Sequence, residues 1–96
     1  KESPLDKMLN VKNVKGSLIS KTEGNVIVMD PIYIDSQGLE LISRIEFSPQ
    51  SVNGIMFGKF RKISANVEIV DSKVKFKGFG GRDKVAKQVN LKALDE

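Results

Sequence analysis

There is no cysteine, no histidine and no tryptophan in this chain of 96 residues. Without Cys there is no disulfide framework, no thiol nucleophile and no Cys-ligated zinc or iron–sulfur site. Without His there is no imidazole base and no Ser-His-Asp triad. A metal site would have to be built from carboxylates alone, and no pair of them has a defined catalytic spacing. The expectation is therefore no catalytic residue, no metal site, no cofactor and no enzyme. Long apolar runs are missing too. The longest is Val26-Ile27-Val28-Met29, far short of the ~20 residues of a membrane-spanning helix. No secretory signal pattern is visible. The chain opens at Lys1 rather than Met, as expected of a processed protein or an excised domain, which leaves an upstream signal or anchor open.

What is present is ordinary for one small soluble domain. Apolar residues make up 40% and charged residues 29% of the chain, enough for one thin core without covalent staples. There is no internal repeat or low-complexity segment. Residues 1–10 read as a lead-in, residues 11–79 as a β meander, and residues 80–96 as a Gly-rich turn followed by a helix, all within one domain.

Alternation with period 2 runs through the middle of the chain and signals strands with one buried face. Leu39, Leu41, Ser43, Ile45 and Phe47 fall on one face, and Glu40, Ile42, Arg44 and Glu46 on the other. The turns then suggest registers. Asp35-Ser36-Gln37-Gly38 is turn chemistry. Pairing Ile34 with Leu39 across it gives Ile32–Leu41, Val28–Ile45 and Val26–Phe47, all apolar on apolar and interrupted only by Asp30–Ser43. Thr22-Glu23-Gly24 reads as a three-residue loop. Pairing Lys21 with Asn25 gives Leu18–Val28, Gly16–Asp30 and Val14–Ile32. Asp71-Ser72 closes a third hairpin in which Ile69–Val74, Val67–Phe76 and Ala65–Gly78 face inward while Glu68 meets Lys75 and Asn66 meets Lys77.

The hairpin across Ser48–Gly54 does not resolve. Ile55 and Phe57 want one face, whereas Met56 and Phe60 want the other, and Gly54 and Gly58 suggest a bend or bulge. Six strands are expected, over about 11–21, 25–34, 38–48, 54–63, 65–70 and 73–79, with a helix over about 83–94 capped by Asp83 and carrying Val85, Val89 and Ala93 at four-residue spacing. The fold class is thus mainly β: a six-stranded antiparallel meander, curved or partly closed, with a C-terminal α-helix.

Charge is unevenly placed. The net charge is +4, yet residues 59–92 hold ten cations against Glu68, Asp71 and Asp83. Lys73, Lys75 and Lys77 form a ladder on one face of one strand. With Phe79, Arg82 and Lys84 they are candidates for binding an anion, a nucleic acid or a lipid headgroup. The plain alternative is a solvated face whose lysines protect an exposed edge from aggregation. The stretch Phe76-Lys77-Gly78-Phe79-Gly80-Gly81-Arg82 mixes rings and cations as single-strand binders do, though Phe76 is already needed inward. Gly78-Phe79-Gly80-Gly81 lacks the spacing of a dinucleotide fingerprint. Asp30, Pro31 and Tyr33 interrupt an apolar strand, either as a buried functional carboxylate or, the preferred reading, as a bulge at Asp-Pro.

The wide apolar face is the other candidate surface. Ile32, Ile34, Leu39, Leu41, Ile45, Phe47, Val67, Ile69, Val74 and Phe76 lie on it. A helix of about 12 residues is ~18 Å long and too short to cover six strands. The sheet must then close, meet a partner or line a groove.

The succession Val14-Lys15-Gly16-Ser17-Leu18, Gly24-Asn25-Val26-Ile27-Val28, Gly38-Leu39-Glu40-Leu41 and Val67-Glu68-Ile69 with Lys73-Val74-Lys75-Phe76-Lys77-Gly78 resembles bacterial envelope β-groove proteins. These are the AsmA-like proteins, the type II secretion N-protein family and the lipopolysaccharide-transport jellyroll proteins. The resemblance covers about residues 11–79. It implies a meander whose apolar concave face carries lipid, an envelope or periplasmic location rather than a cytoplasmic one, and no catalytic residues. The expectation for function is a non-enzymatic binding or assembly module of a bacterial envelope or secretion system. Its partner is a protein or a lipid ahead of nucleic acid, with an anionic surface and oligomerisation as further expectations. The alternative is a small nucleic-acid-binding domain using the basic C-terminal half.

Overall fold

The computed structural model describes residues 14–95. The strands are β1 (Val14–Glu23), β2 (Val26–Ser36), β3 (Leu39–Phe47), β4 (Val52–Phe60), β5 (Ile63–Val70) and β6 (Lys73–Phe79). A short helix α1 (Arg82–Ala86) and a 3₁₀ turn (Leu91–Asp95) follow. Each strand pairs antiparallel with the next, in the order β1 to β6. The expected six-stranded meander is therefore the fold. Closure is not: β6 does not return to β1, and the described sheet is open. The lead-in at residues 1–10 lies outside the described residues.

Tight turns make the meander. Glu23 pairs with Val26, Ser36 with Leu39, Phe60 with Ile63 and Val70 with Lys73, so each of these loops has two residues. Asp71 and Ser72 have φ of 50° and 66°, positive at both central positions as in a type I′ turn, whose twist matches that of the strands. They are held there from β4. The Asn53 side-chain oxygen accepts the Asp71 N–H at 3.0 Å, and the Ser72 hydroxyl accepts the Val52 N–H at 2.9 Å.

These loops correct two registers. The first loop is Gly24-Asn25 rather than Thr22-Glu23-Gly24, so Lys21 meets Val28 and Gly16 meets Ile34. In the second hairpin Ile34 meets Leu41, not Leu39. The register then shifts between Met29 and Ile32. Proline, with no N–H for the ladder, sits in that shift, and the Asp30–Pro31 peptide is cis. The preferred reading of Asp-Pro as a bulge is thus what occurs. Beyond it the strand changes face: Ile27 and Met29, not Val26 and Val28, lie opposite Phe47 and Ile45.

The core that packs with the helix is on the face that the strand alternation made the wet one, while Ile32 and Ile34 are buried on the opposite face. Ile42 lies directly opposite Phe57, and both are buried with Val85 and Val89. Tyr33, Ile55, Ala86 and Leu91 pack around them. Burying side chains of this size stabilises by about 1.5–3 kcal/mol each. The hairpin that the alternation leaves unresolved decides the matter: Ile55 and Phe57 take the helix face, and Met56 and Phe60 the other. No bulge occurs in β4, whose registers with β3 and β5 are continuous. Gly54 instead serves a close approach, since a Cβ there would run into the Arg44 carbonyl oxygen.

The expected helix over 83–94 is interrupted. Asp83 is not its cap; Gly81 precedes it at φ 82° without a side-chain cap. A Cβ at Gly81 would also meet the Asn66 amide, which donates to the carbonyls of Gly78 at 3.2 Å and Gly80 at 3.0 Å. Only five residues are α-helical before the chain turns. The Asn90 N–H then donates to the Asp30 carboxylate at 2.8 Å, and Arg44 approaches the same carboxylate at 3.3 Å. Asp30 therefore ties the C-terminal segment to β2 and does not face Gly16 and Ser43 across the apolar face.

Candidate binding surface

All ten side chains expected on the wide apolar face share one face of the sheet, because residues opposite one another across a ladder point the same way. Ile32 meets Ser43, Ser43 meets Met56, Met56 meets Val67 and Val67 meets Phe76. Ile34–Leu41 and Ile45–Gly54–Ile69–Val74 run parallel to that row. Leu39 and Phe47 end β3 on the same side, opposite Phe60 and Val52. Burial falls across the sheet. Ile32 and Ile34 are buried, as is Ser43, whose hydroxyl donates to the Ile55 carbonyl at 2.7 Å. Leu39, Leu41, Ile45, Phe47, Val67 and Ile69 are half-buried. Toward β6 the face opens: Val74 is 68% exposed, Phe76 60% and Phe79 80%, joined by Phe60 at 58% and Ile63 at 70%.

Phe60 and Ile63 are not legible in the sequence as part of this surface. They join it once the turn is placed at Arg61-Lys62, which sets them opposite each other. The Arg61 guanidinium lies 5.3 Å from the centre of the Phe60 ring, within reach of a cation–π contact. Gly58 and Ala65 are partners across β4 and β5. As small residues they leave a low floor between Phe60–Ile63 and Phe79.

Unbroken alternation from Lys73 predicts Phe79 on the lysine face, and the structure places it on the other. The register shifts between Asn66 and Val67, so Ala65 meets Phe79 and Asn66 meets Gly78. The bulge carries Phe79 onto the face of Phe76, where the rings meet edge to face at 5.3 Å between centroids. The lysines remain on the opposite, helix-bearing face. Lys75 lies across from Glu68, and Lys77 is 3.8 Å from the same carboxylate. Lys84 on α1 lines a depression with Lys77 and Glu68.

Arg82 is engaged within the chain. Its Nε and Nη2 donate to the two Glu40 carboxylate oxygens at 2.8 and 3.1 Å. This bidentate bond, ahead of the charge itself, holds the guanidinium above its ordinary pKa. Tyr33 lies nearby under the helix. Burial first, then the charges of Asp35 and Glu40, raise its hydroxyl above the ordinary value. The six basic-half candidates are thus divided: Lys73, Lys75, Lys77 and Lys84 share a side, Phe79 is on the other, and Arg82 is paired. Among the described residues no three acidic side chains converge and no helix is long and apolar enough to cross a membrane.

No protein-family model, curated protein or solved structure matches this chain.

Proposed function

We propose that the chain is a non-enzymatic binding module whose exposed apolar face on β4–β6 takes a protein partner. The observation that carries this is the group Phe60, Ile63, Val74, Phe76 and Phe79, all on one face and each more than half exposed. A Phe side chain presents about 150–250 Å², so these five leave several hundred Å² of apolar surface, the extent that marks an interaction site. A protein is favoured over a membrane because Lys73, Lys75 and Lys77 point away from the aromatic side. A surface lying on anionic headgroups would want its cations among the rings; Arg61 lies over Phe60, but the three-lysine ladder does not join it.

The same division bears on nucleic acid. Stacking platforms interleave aromatic rings with the cations that hold phosphates. Here Phe79 faces away from the lysines and Arg82 is held by Glu40.

The test is photo-crosslinking in the producing cell, with a photoreactive residue at Phe79 and a control at Lys87 just after α1. A discrete protein adduct at Phe79 and none at Lys87 is the expected result. Adducts to lipid alone, to nucleic acid alone, or none would overturn the reading.

A further inference from the structure

β6 is the last described strand of an open sheet, so one side of its backbone has no described strand beside it. Lys73, Val74, Lys75, Phe76 and Lys77 are all exposed, so the strand is open on both faces, and no described strand lies along its edge. Such an edge is a template for a further strand unless something opposes it. The regular part runs from Lys73 to the bulge at Lys77-Gly78, about 17 Å at the rise of a strand.

The charge pattern selects the occupant. On the helix-bearing face β5 and β6 carry Lys73, Lys75 and Lys77 against the single carboxylate of Glu68. Successive lysines of the ladder are ~6.6–6.8 Å apart along the strand, the spacing of alternate side chains on any added strand. A second copy pairing antiparallel through β6 would set lysine against lysine, which destabilises a ladder. A membrane cannot meet the rings and the lysines at once, because they point to opposite faces. An acidic strand satisfies both. Carboxylates at alternate positions would meet the lysines, and apolar side chains between them would extend the face of Val74 and Phe76.

We infer that β6 accepts an extended acidic segment of another protein as a seventh strand. Its pattern is acid–apolar–acid–apolar–acid, aligned with Lys73–Lys77. This inference rests on the chain being a protein-binding module, and it names where and by what chemistry the partner is held.

The test uses the full chain with two fluorescent peptides of equal composition. One alternates Glu with Val, and the other groups the Glu residues at one end. Anisotropy reads binding, and amide hydrogen exchange reads its location. The expected result is preferential binding of the alternating peptide, with new protection at residues 73–77. Lys75→Glu, checked for an unchanged unfolding midpoint, weakens it by about tenfold or more through like-charge repulsion. Equal binding of both peptides, protection elsewhere, concentration-dependent self-association through β6, or binding only to anionic vesicles of phosphatidylserine and phosphatidylcholine would each overturn the proposal. If these fail while Phe79 still crosslinks to a protein, the edge assignment falls and the apolar-face reading stands. If neither binding nor crosslinking occurs, both fall.

Discussion

Phe76 and Phe79 meet edge to face on one side of β6 although they are three residues apart in a strand. An uninterrupted alternation would put them on opposite faces. The bulge at Lys77-Gly78 brings them together, and Gly78 carries it at φ 149°, where residues with a Cβ rarely sit.

Gly78→Val is therefore expected to destabilise the fold by about 1–3 kcal/mol, the cost of a side chain in a sparsely populated backbone region. No atom crowds a Cβ at this position, so the loss is conformational. Urea unfolding, with Gly78→Ala alongside, checks it; an unchanged midpoint in both would contradict the account of the bulge.

The two apolar faces should respond differently to truncation. Phe57 is buried under Val85 and Val89, and Phe57→Ala is expected to cost about 3–5 kcal/mol. Phe76 is 60% exposed, so Phe76→Ala should stay within about 1 kcal/mol of the parent. Equal losses in chemical denaturation would contradict the burial of Phe57 beneath the helix.

Asp30 holds the Asn90 N–H and approaches Arg44. Asp30→Ala removes the acceptor and should cost about 1 kcal/mol, with solvent satisfying part of what is lost. Asp30→Asn keeps an acceptor and should cost less. Amide exchange should quicken first at residues 87–95, where the tie is made, while β3 and β4 keep their protection.

Tyr33 is the chain's single tyrosine, with no tryptophan to mask it. Its hydroxyl titrates above 10.0 in the folded state because burial and the charges of Asp35 and Glu40 disfavour the phenolate. An unfolded chain ionises near 10. The folded state thus holds the proton more tightly, and the associated stability is fully present below pH 10 and lost as pH rises through the folded value. Ultraviolet titration of the phenolate should show a higher midpoint in buffer than in urea. Tyr33→Phe should remove that share of the alkaline loss, and coincident midpoints would refute the assignment.

Much of the meander is legible in the sequence because neighbouring strands pair in order and the turn residues declare themselves. Asp71-Ser72 with its register from Val70–Lys73 to Val67–Phe76 is the clearest case. The ten-residue apolar face is legible for the same reason. Which face packs with the helix is not. Leu39, Leu41, Ile45 and Phe47 outnumber Ile42 in β3, but burial follows the opposition of Ile42 to Phe57, fixed by a β3–β4 register that composition leaves ambiguous. The side of Phe79 is hidden for a similar reason, since a single bulge reverses the parity of everything beyond it.

The tie between Asp30 and Asn90 spans 60 residues, whereas every strand pairs with its immediate neighbour in the chain. Neighbour pairing demands little loop closure and favours rapid assembly. The hairpins can therefore form in sequence from either end, while the core of Ile42 and Phe57 waits for residues 82–95 to fold back over it. The distant contact is therefore expected to form late, and a chain shortened before residue 82 would lack it.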